Sequence, residues 1–223
     1  MLALGDVTLL TGSDARGYAN AASWTGQIAG MLTVTMNYFF NPGDERVLVE
    51  TVLTALTDLT DLAFNRSVDP DSAGAGDPTI NQRGNATFGV QDFVGSESAG
   101  NGRTLALVNV NDFGYAHNTS IQSSCCSNQN PYTILANGGG DLGLSSTGDD
   151  SLNLAYRIGN LSRGSSATFQ YAYAAGEGLD DIVVTPGVPE PATWMMLLLG
   201  FFAMGGLIRR SRKSGYDMSV SYS

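Results

Sequence analysis

The chain has 223 residues and a formal net charge of −10; only 14% of its residues are charged, and it contains 28 Gly, 7 Pro, 2 Cys and one His. This length is typical of one domain with a substantial core. The acidic balance excludes nucleic acid as an expected partner, because phosphate binding requires clustered Lys and Arg. A body of low charge that is rich in Gly, Asn, Ser and Thr indicates an exported β protein rather than a cytosolic helical enzyme.

The amino-terminal segment, residues 1–30, lacks the features of a secretory signal. Such a signal has Lys or Arg before an apolar run of about 7–15 residues. Here the first basic residue is Arg16, and Asp6 interrupts the apolar residues. Either the recorded start lies inside a longer reading frame or the protein is not exported, and we expect the first.

Alternating apolar and polar residues predict a series of short strands from residue 31 onward. Segments 31–40 and 46–56 flank the turn Asn41–Asp44 and predict a hairpin, and segments 151–158 and 168–174 predict a second, closing hairpin. Further strands are predicted at 59–68, 86–94, 104–110 and 132–136. Seven or eight short strands with Gly, Asn and Asp connectors predict an all-β fold, an antiparallel β-sandwich over residues 31–185. The order of elements loosely resembles the immunoglobulin-like domains of exported bacterial proteins.

The carboxyl end carries an uncharged apolar run, residues 192–208, followed by a basic cluster at Arg209, Arg210, Arg212 and Lys213. Seventeen residues of helix extend about 25 Å, which is at the short end of what spans a bilayer core of about 30 Å. The run therefore predicts a C-terminal transmembrane helix, with Trp194 at one interface. The positive-inside rule places the basic cluster in the cytoplasm and the body of the protein across the membrane.

The residues before this run complete a recognisable pattern. Pro189-Glu190-Pro191, the apolar run and the basic cluster together resemble the PEP-CTERM protein-sorting signal of bacteria, here over residues 189–213 after a short linker at 186–188. The resemblance implies recognition by an exosortase, a membrane-embedded protease that cuts near the triplet, and export in a Gram-negative bacterium, often one that makes exopolysaccharide. The body would lie on the periplasmic side of the inner membrane before processing, and at the cell surface or in the extracellular matrix afterwards. A polar tail, residues 214–223, is longer than such signals usually have.

One acidic loop is a candidate calcium site. Asp69, Asp71, Gly74 and Asp77 match positions 1, 3, 6 and 9 of the calcium-loop template. Position 12 is Ile80 and supplies no bidentate carboxylate, so the loop is not an EF-hand. We expect either a solvated loop or a looser calcium site built from Asp69, Asp71 and Asp77, with Asp92 or Asp112 of neighbouring strands as further candidate ligands.

The two cysteines, Cys125 and Cys126, are adjacent. A trans peptide holds neighbouring Cα atoms about 3.8 Å apart, below the usual range for a disulfide. A strained vicinal disulfide, reduced thiols and bonds to another chain all remain open. The residues around them offer no zinc-binding spacing.

The sequence contains no recognisable catalytic constellation, and we expect no enzymatic activity. His117 is the only histidine, is expected in a surface loop, and has no Gly-x-Ser-x-Gly nucleophile motif to serve. The leading hypothesis is a structural or adhesive surface protein. The alternatives are a carbohydrate-binding module, which would use an exposed strip of aromatic side chains, and a hydrolase with paired acidic residues. The candidate aromatic residues are Tyr115, Tyr132, Tyr171 and Tyr173.

Overall fold

The computed structural model describes residues 2–72, 79–123 and 129–183. The chain divides into two compact units, Met1–Thr185 and Pro186–Ser223, and the described residues all belong to the first. The predicted apolar helix at 192–208 and the sorting residues lie outside the described residues, as do Asp77 and both cysteines.

The first unit is built almost entirely from antiparallel strands arranged in two sheets of very different width. The larger sheet has nine strands in the order β1-β2-β3-β4-β12-β8-β7-β6-β10, and the smaller has three in the order β5-β11-β9. The strands run in sequence as β1 Leu2–Leu9, β2 Asn20–Ile28, β3 Leu32–Phe40, β4 Arg46–Ala55, β5 Leu59–Val68, β6 Thr79–Arg83, β7 Phe93–Ser98, β8 Thr104–Asn111, β9 Ala116–Gln122, β10 Ser145–Thr147, β11 Ser151–Leu161 and β12 Ser166–Gly176. A short 3₁₀ helix, Gly12–Ala15, and one α-helix, α1 Pro131–Asn137, complete the described elements.

The main core lies where the small sheet covers the large one. Tyr156 of β11 stacks on Phe169 of β12 with ring centroids 4.3 Å apart, and Phe64 of β5 packs against the same Phe169 at 5.0 Å. Tyr156 and Phe169 are fully buried. The Tyr156 hydroxyl donates to Oδ1 of Asn109 at 2.9 Å, so its polar end is satisfied inside the core.

The first predicted hairpin is confirmed, because β3 and β4 pair in the expected antiparallel register. The prediction of a closing hairpin is wrong. Its two strands exist, but β11 pairs with β5 and β9, whereas β12 pairs with β4 and β8. Both strands carry large apolar side chains, and facing one another across the core buries more of that surface than lying side by side would.

Residues 132–136, predicted as a strand, form helix α1 instead. Asn130 caps the helix by accepting a hydrogen bond from the Tyr132 amide, and Pro131 occupies the first turn. Gly138 ends the helix in the left-handed conformation. These are ordinary helix start and stop signals that outweigh the β propensity of Tyr, Thr and Ile. Residues 86–92 are also not extended, and β7 begins only at Phe93.

The large sheet begins before the boundary predicted at residue 31. Strands β1 and β2 fall within the segment 1–30; β1 pairs with β2, and β2 pairs with β3. Nine strands against three also differ from the nearly equal sheets of an immunoglobulin domain. The immunoglobulin-like arrangement stays a prediction, and the structure shows a mostly antiparallel β fold.

Arg83, at the end of β6 in the large sheet, links the two sheets through hydrogen bonds to β9 in the small sheet. Its Nε donates to Thr119 Oγ1 at 2.9 Å and its Nη2 to Asn118 Oδ1 at 2.8 Å, both on β9, while Nη1 and Nη2 reach the carbonyls of Gly138 and Val90. The side chain is buried, and burial lowers the pKa of Arg83 below its ordinary value. Among the described residues no carboxylate pairs with it. Neutral acceptors therefore compensate for the lost hydration of this cation.

We expect Arg83→Lys to lower the free energy of unfolding by about 2–3 kcal/mol, because an ammonium cannot reach four acceptors that a planar guanidinium reaches together. Urea unfolding of the two proteins measures the difference. Arg163→Lys, at an exposed arginine, is the matched control and is expected to change stability by less than about 0.5 kcal/mol. Equal effects at the two positions would contradict the role assigned to Arg83.

The neighbouring glycines give a second test of the same contact. A Cβ at Gly139 would clash with the Arg83 guanidinium, whereas a Cβ at Gly138 would meet nothing within 4 Å. Both residues have positive φ, 63° at Gly138 and 141° at Gly139. Gly138→Ala is therefore expected to cost only the left-handed strain of about 1–2 kcal/mol, and Gly139→Ala to cost about 1–3 kcal/mol more. Similar melting temperatures for the two variants would rule out the clash.

Candidate functional site

The predicted calcium residues are partly brought together. Asp69 and Asp71 lie in the connection after β5, and Asp149 lies in the turn before β11. One carboxylate oxygen from each of the three lies within 4.8 Å of the other two, and all three residues are exposed. The pairing of Val68 with Leu152 produces this arrangement, because the residues just beyond that pair meet at the same end of the ladder.

This cluster has the ligand type that calcium prefers. Carboxylate oxygens suit Ca²⁺, but the ion takes six to eight ligands, so three carboxylates supply only part of its shell. A loss of hydration and the negative charges of Asp69 and Asp71 raise the pKa of Asp149 above its ordinary value. Asp149 was not a predicted ligand. The Asp149-Asp150 pair is visible in the sequence, but nothing local relates it to Asp69.

His117 is not the surface-loop residue that the sequence predicts. It lies in β9, its side chain is only 12% exposed, and its ring packs 5.9 Å from the Tyr156 ring. Nε2 lies 2.8 Å from Oδ1 of Asp92, and Nδ1 lies 3.1 Å from Oδ2 of Asp112. The loop expectation fails because residues 116–122 pair with β11 along their whole length, a pairing with a distant segment that the local polar sequence does not reveal.

The histidine cluster lacks the partners of a nucleophilic site. In the described ranges no serine or cysteine hydrogen-bonds to His117. Both ring nitrogens of His117 face carboxylates, and among the described residues no nucleophile stands beside the imidazole.

The buried carboxylate of Glu50, on β4 of the large sheet, also has several hydrogen-bond partners. Glu50 accepts two hydrogen bonds from Arg16, at 2.8 and 2.6 Å, and further ones from Gln170 and Asn37. Burial by itself raises the pKa of Glu50, but the hydrogen bonds from Arg16 and Gln170 and the charge of Arg16 outweigh it, so the pKa is lowered. Glu50 is thus held ionised in an ion pair.

The four tyrosines do not form one strip. Tyr171 is fully buried, Tyr173 and Tyr115 are half-buried against the main core, and Tyr132 is 42% exposed on α1. They therefore lie in different surroundings rather than on one exposed platform.

Comparison with known proteins identifies the carboxyl end. Residues 187–213 match the family model described as the PEP-CTERM protein-sorting motif. The chain therefore carries this sorting motif, which implies exosortase processing and membrane-associated sorting followed by export to the cell surface. Within the described ranges, no helix has the length and hydropathy needed to cross a bilayer.

The remaining comparisons are distant. No curated protein sequence matches the chain. Among solved structures it is similar to a putative kojibiose phosphorylase from human microbiome, with 12% identity and a TM-score of 0.39 over 86% of this chain and 21% of that one. It is also similar to the heparan sulfate lyase HepC from Pedobacter heparinus, with 11% identity and a TM-score of 0.47 over 79% and 24% of the two chains. The chain thus spans about a quarter of the length of these proteins, and nothing about its activity follows from them.

Mutual repulsion in the carboxylate cluster predicts a measurable dependence on pH and on calcium. The pKa of Asp149 is raised in the folded state. Its contribution to the free energy of unfolding is therefore fully present below the ordinary pKa of 3.8 and is lost as the pH rises through the folded pKa. Without divalent ions, Asp149→Asn is therefore expected to raise the melting temperature at neutral pH and to leave it almost unchanged at acid pH. Added Ca²⁺ should raise the melting temperature of the native chain and have little effect on the variant.

Asp14→Asn, at an exposed carboxylate outside the cluster, is the control for a general charge effect. Calorimetry with and without Ca²⁺ measures all three proteins. The same calcium response in the native chain and in Asp149→Asn would remove Asp149 from the candidate site.

Proposed function

We propose that this chain is an exported surface protein of a Gram-negative bacterium that an exosortase processes at its PEP-CTERM signal, and that its β domain has a structural or adhesive role without enzymatic activity. Before processing, the signal anchors the chain in the inner membrane with the β domain on the periplasmic side. Afterwards the domain resides at the cell surface or in an exopolysaccharide matrix.

The match of residues 187–213 to the sorting motif is the observation that carries this proposal. The motif begins directly after the compact unit Met1–Thr185, as expected if the unit is the exported cargo. The cluster from Arg209 to Lys213 supports the orientation, because cytoplasmic flanks of membrane segments are enriched in Lys and Arg. The acidity of the whole chain favours solubility among negatively charged polymers.

The proposal that the domain lacks enzymatic activity is supported by the contacts of two titratable side chains, Glu50 and His117. Glu50 is paired with Arg16, and His117 is held between Asp92 and Asp112. A glycosidase requires two carboxyl groups that face each other across a substrate cleft, about 5–10 Å apart. Asp92 and Asp112 instead face the same imidazole, so the hydrolase alternative gains no support from them.

The carbohydrate-binding alternative requires exposed aromatic rings that are aligned to stack on sugars. Tyr171 lies in the core and Tyr132 lies on the helix, so the predicted strip does not supply such a platform. We therefore propose exopolysaccharide as the matrix around the domain and not as a ligand bound by these tyrosines.

The proposal is tested by the intact mass of the chain recovered separately from membrane, surface and medium fractions of its native cells. We expect a surface or medium species that ends near Pro189 and lacks residues 192–208. The double substitution Pro189→Ala and Pro191→Ala should block this cleavage, and the chain should accumulate uncut in the membrane fraction. Pro186→Ala lies just outside the matched residues 187–213 and should be processed normally.

A native chain that remains intact through Ser223 in every fraction would refute processing. Equal processing of the double variant and the native chain would show that the triplet does not direct the cut. Hydrolysis of the host's own exopolysaccharide by the processed species would overturn the non-enzymatic role while leaving sorting in place.

A further inference from the structure

The unequal widths of the two sheets leave an open groove beside the small sheet. Strands β2 and β3 of the large sheet line this groove on one side and β5 lines it on the other, and β5 is the edge of the described three-stranded sheet. The groove has a volume of about 520 Å³, within the usual range for small-molecule sites. One wall comes from the large sheet and the other from β5; the lining residues used below are Trp24, Val34, Met36, Tyr38, Phe64 and Arg66.

The lining of this groove is mainly apolar and aromatic. Trp24, Val34 and Phe64 offer no acceptor to a ligand, and the Tyr38 hydroxyl already donates to the Met36 sulfur at 3.4 Å. The apolar surface continues beyond the groove, since Val7 of β1 lies beside Trp24 in register and is 68% exposed. Sugar hydroxyls would find few acceptors among these apolar side chains to replace their hydrogen bonds to water, whereas a hydrocarbon chain needs none.

One cation interrupts this apolar surface. Arg66 of β5 is half-buried, donates from Nε to the Tyr173 hydroxyl, and lies 5.3 Å from the centre of the Tyr173 ring. In the described part of the chain, no carboxylate pairs with Arg66. A guanidinium in apolar surroundings favours a carboxylate that accepts two parallel hydrogen bonds. The groove therefore offers an extended apolar surface with one positive charge that no carboxylate of the described residues neutralises.

A β-strand that pairs with the edge of β5 is the other occupant that such a groove suggests. The edge of β5 is poorly suited to such pairing. Strand addition requires a regular extended edge. Asp61 has a positive φ of 50°, and the pairing of β5 with β11 shifts register twice between Arg157 and Leu161. Irregularities of this kind are typical of edges that resist pairing.

We propose that this groove binds a long-chain aliphatic carboxylate, with the alkyl chain lying along Trp24, Met36 and Phe64 and the carboxylate paired with Arg66. The site is independent of the proposed sorting route. Affinity rises with chain length, by about fourfold for each methylene group that becomes buried. A fatty alcohol of the same length binds more weakly, because it cannot neutralise the guanidinium.

The test uses the full-length chain in isolated membranes and two photoreactive probes, a diazirine-bearing hexadecanoate and the corresponding hexadecanol. After irradiation and trypsin digestion, the carboxylate probe should label peptides 17–46 and 47–66, which together hold the groove residues. Labelling of the apolar stretch 192–208 provides an internal reference for probe dissolved in the membrane. Unlabelled hexadecanoate should displace the groove label at a concentration about tenfold lower than hexadecanol does, as expected for one charge-assisted hydrogen-bonded pair.

Arg66→Gln removes a trypsin site, so that the second groove peptide becomes 47–83. This variant should reduce groove labelling by the carboxylate probe about tenfold and leave labelling by the alcohol probe unchanged. Arg66→Lys should restore part of the difference, and Arg163→Gln, at an exposed arginine, should change nothing. If Arg66→Gln merely disturbed the fold, labelling by both probes would fall together, and the displacement ratio in the native chain would still decide the question.

Two results would overturn the proposal. One is equal displacement by hexadecanoate and hexadecanol, which would remove the role of Arg66. The other is labelling of 192–208 without labelling of 17–66, which would show that the groove does not take up the chain; crosslinks from the groove to a second polypeptide would then assign it to protein docking.

Discussion

The structure depends on one constraint, the burial of apolar side chains between a nine-stranded sheet and a sheet of only three strands. Burial is complete only where the two overlap, and there Tyr156 and Phe169 stack at the centre. Because β11 is the central strand of the small sheet and β12 a central strand of the large one, these two consecutive strands face each other across the core. The connection between them carries the chain from one sheet to the other.

The two sides of the molecule differ where the overlap of the sheets ends. On the side of β6 and β9, the buried Arg83 joins both sheets and the end of helix α1 through neutral acceptors. A cation without a carboxylate is tolerated there because several of its donors have partners. On the side of β2 and β3 nothing described covers the sheet, and the apolar groove beside Arg66 results.

The functional features therefore divide between two levels of organisation. The sorting motif is a linear segment, residues 187–213, and it is recognisable from the order of its parts along the chain. The properties of the exported body arise from contacts between distant strands. The carboxylate cluster joins Asp69 to Asp149, and the histidine cluster joins Asp92 to His117.

The sequence by itself determined the sorting motif, the β class of the body and the strands whose alternation is local, such as β3 and β4, because charge runs and side-chain alternation are properties of neighbouring residues. It also contained the start and stop signals for α1 at Asn130, Pro131 and Gly138, although the β-forming residues between them favour a strand by propensity alone. Only the tertiary structure decided that β11 and β12 belong to different sheets and that Arg66 has an apolar groove beside it. These outcomes depend on which faces meet across the core, and no pattern within a single segment contains that information.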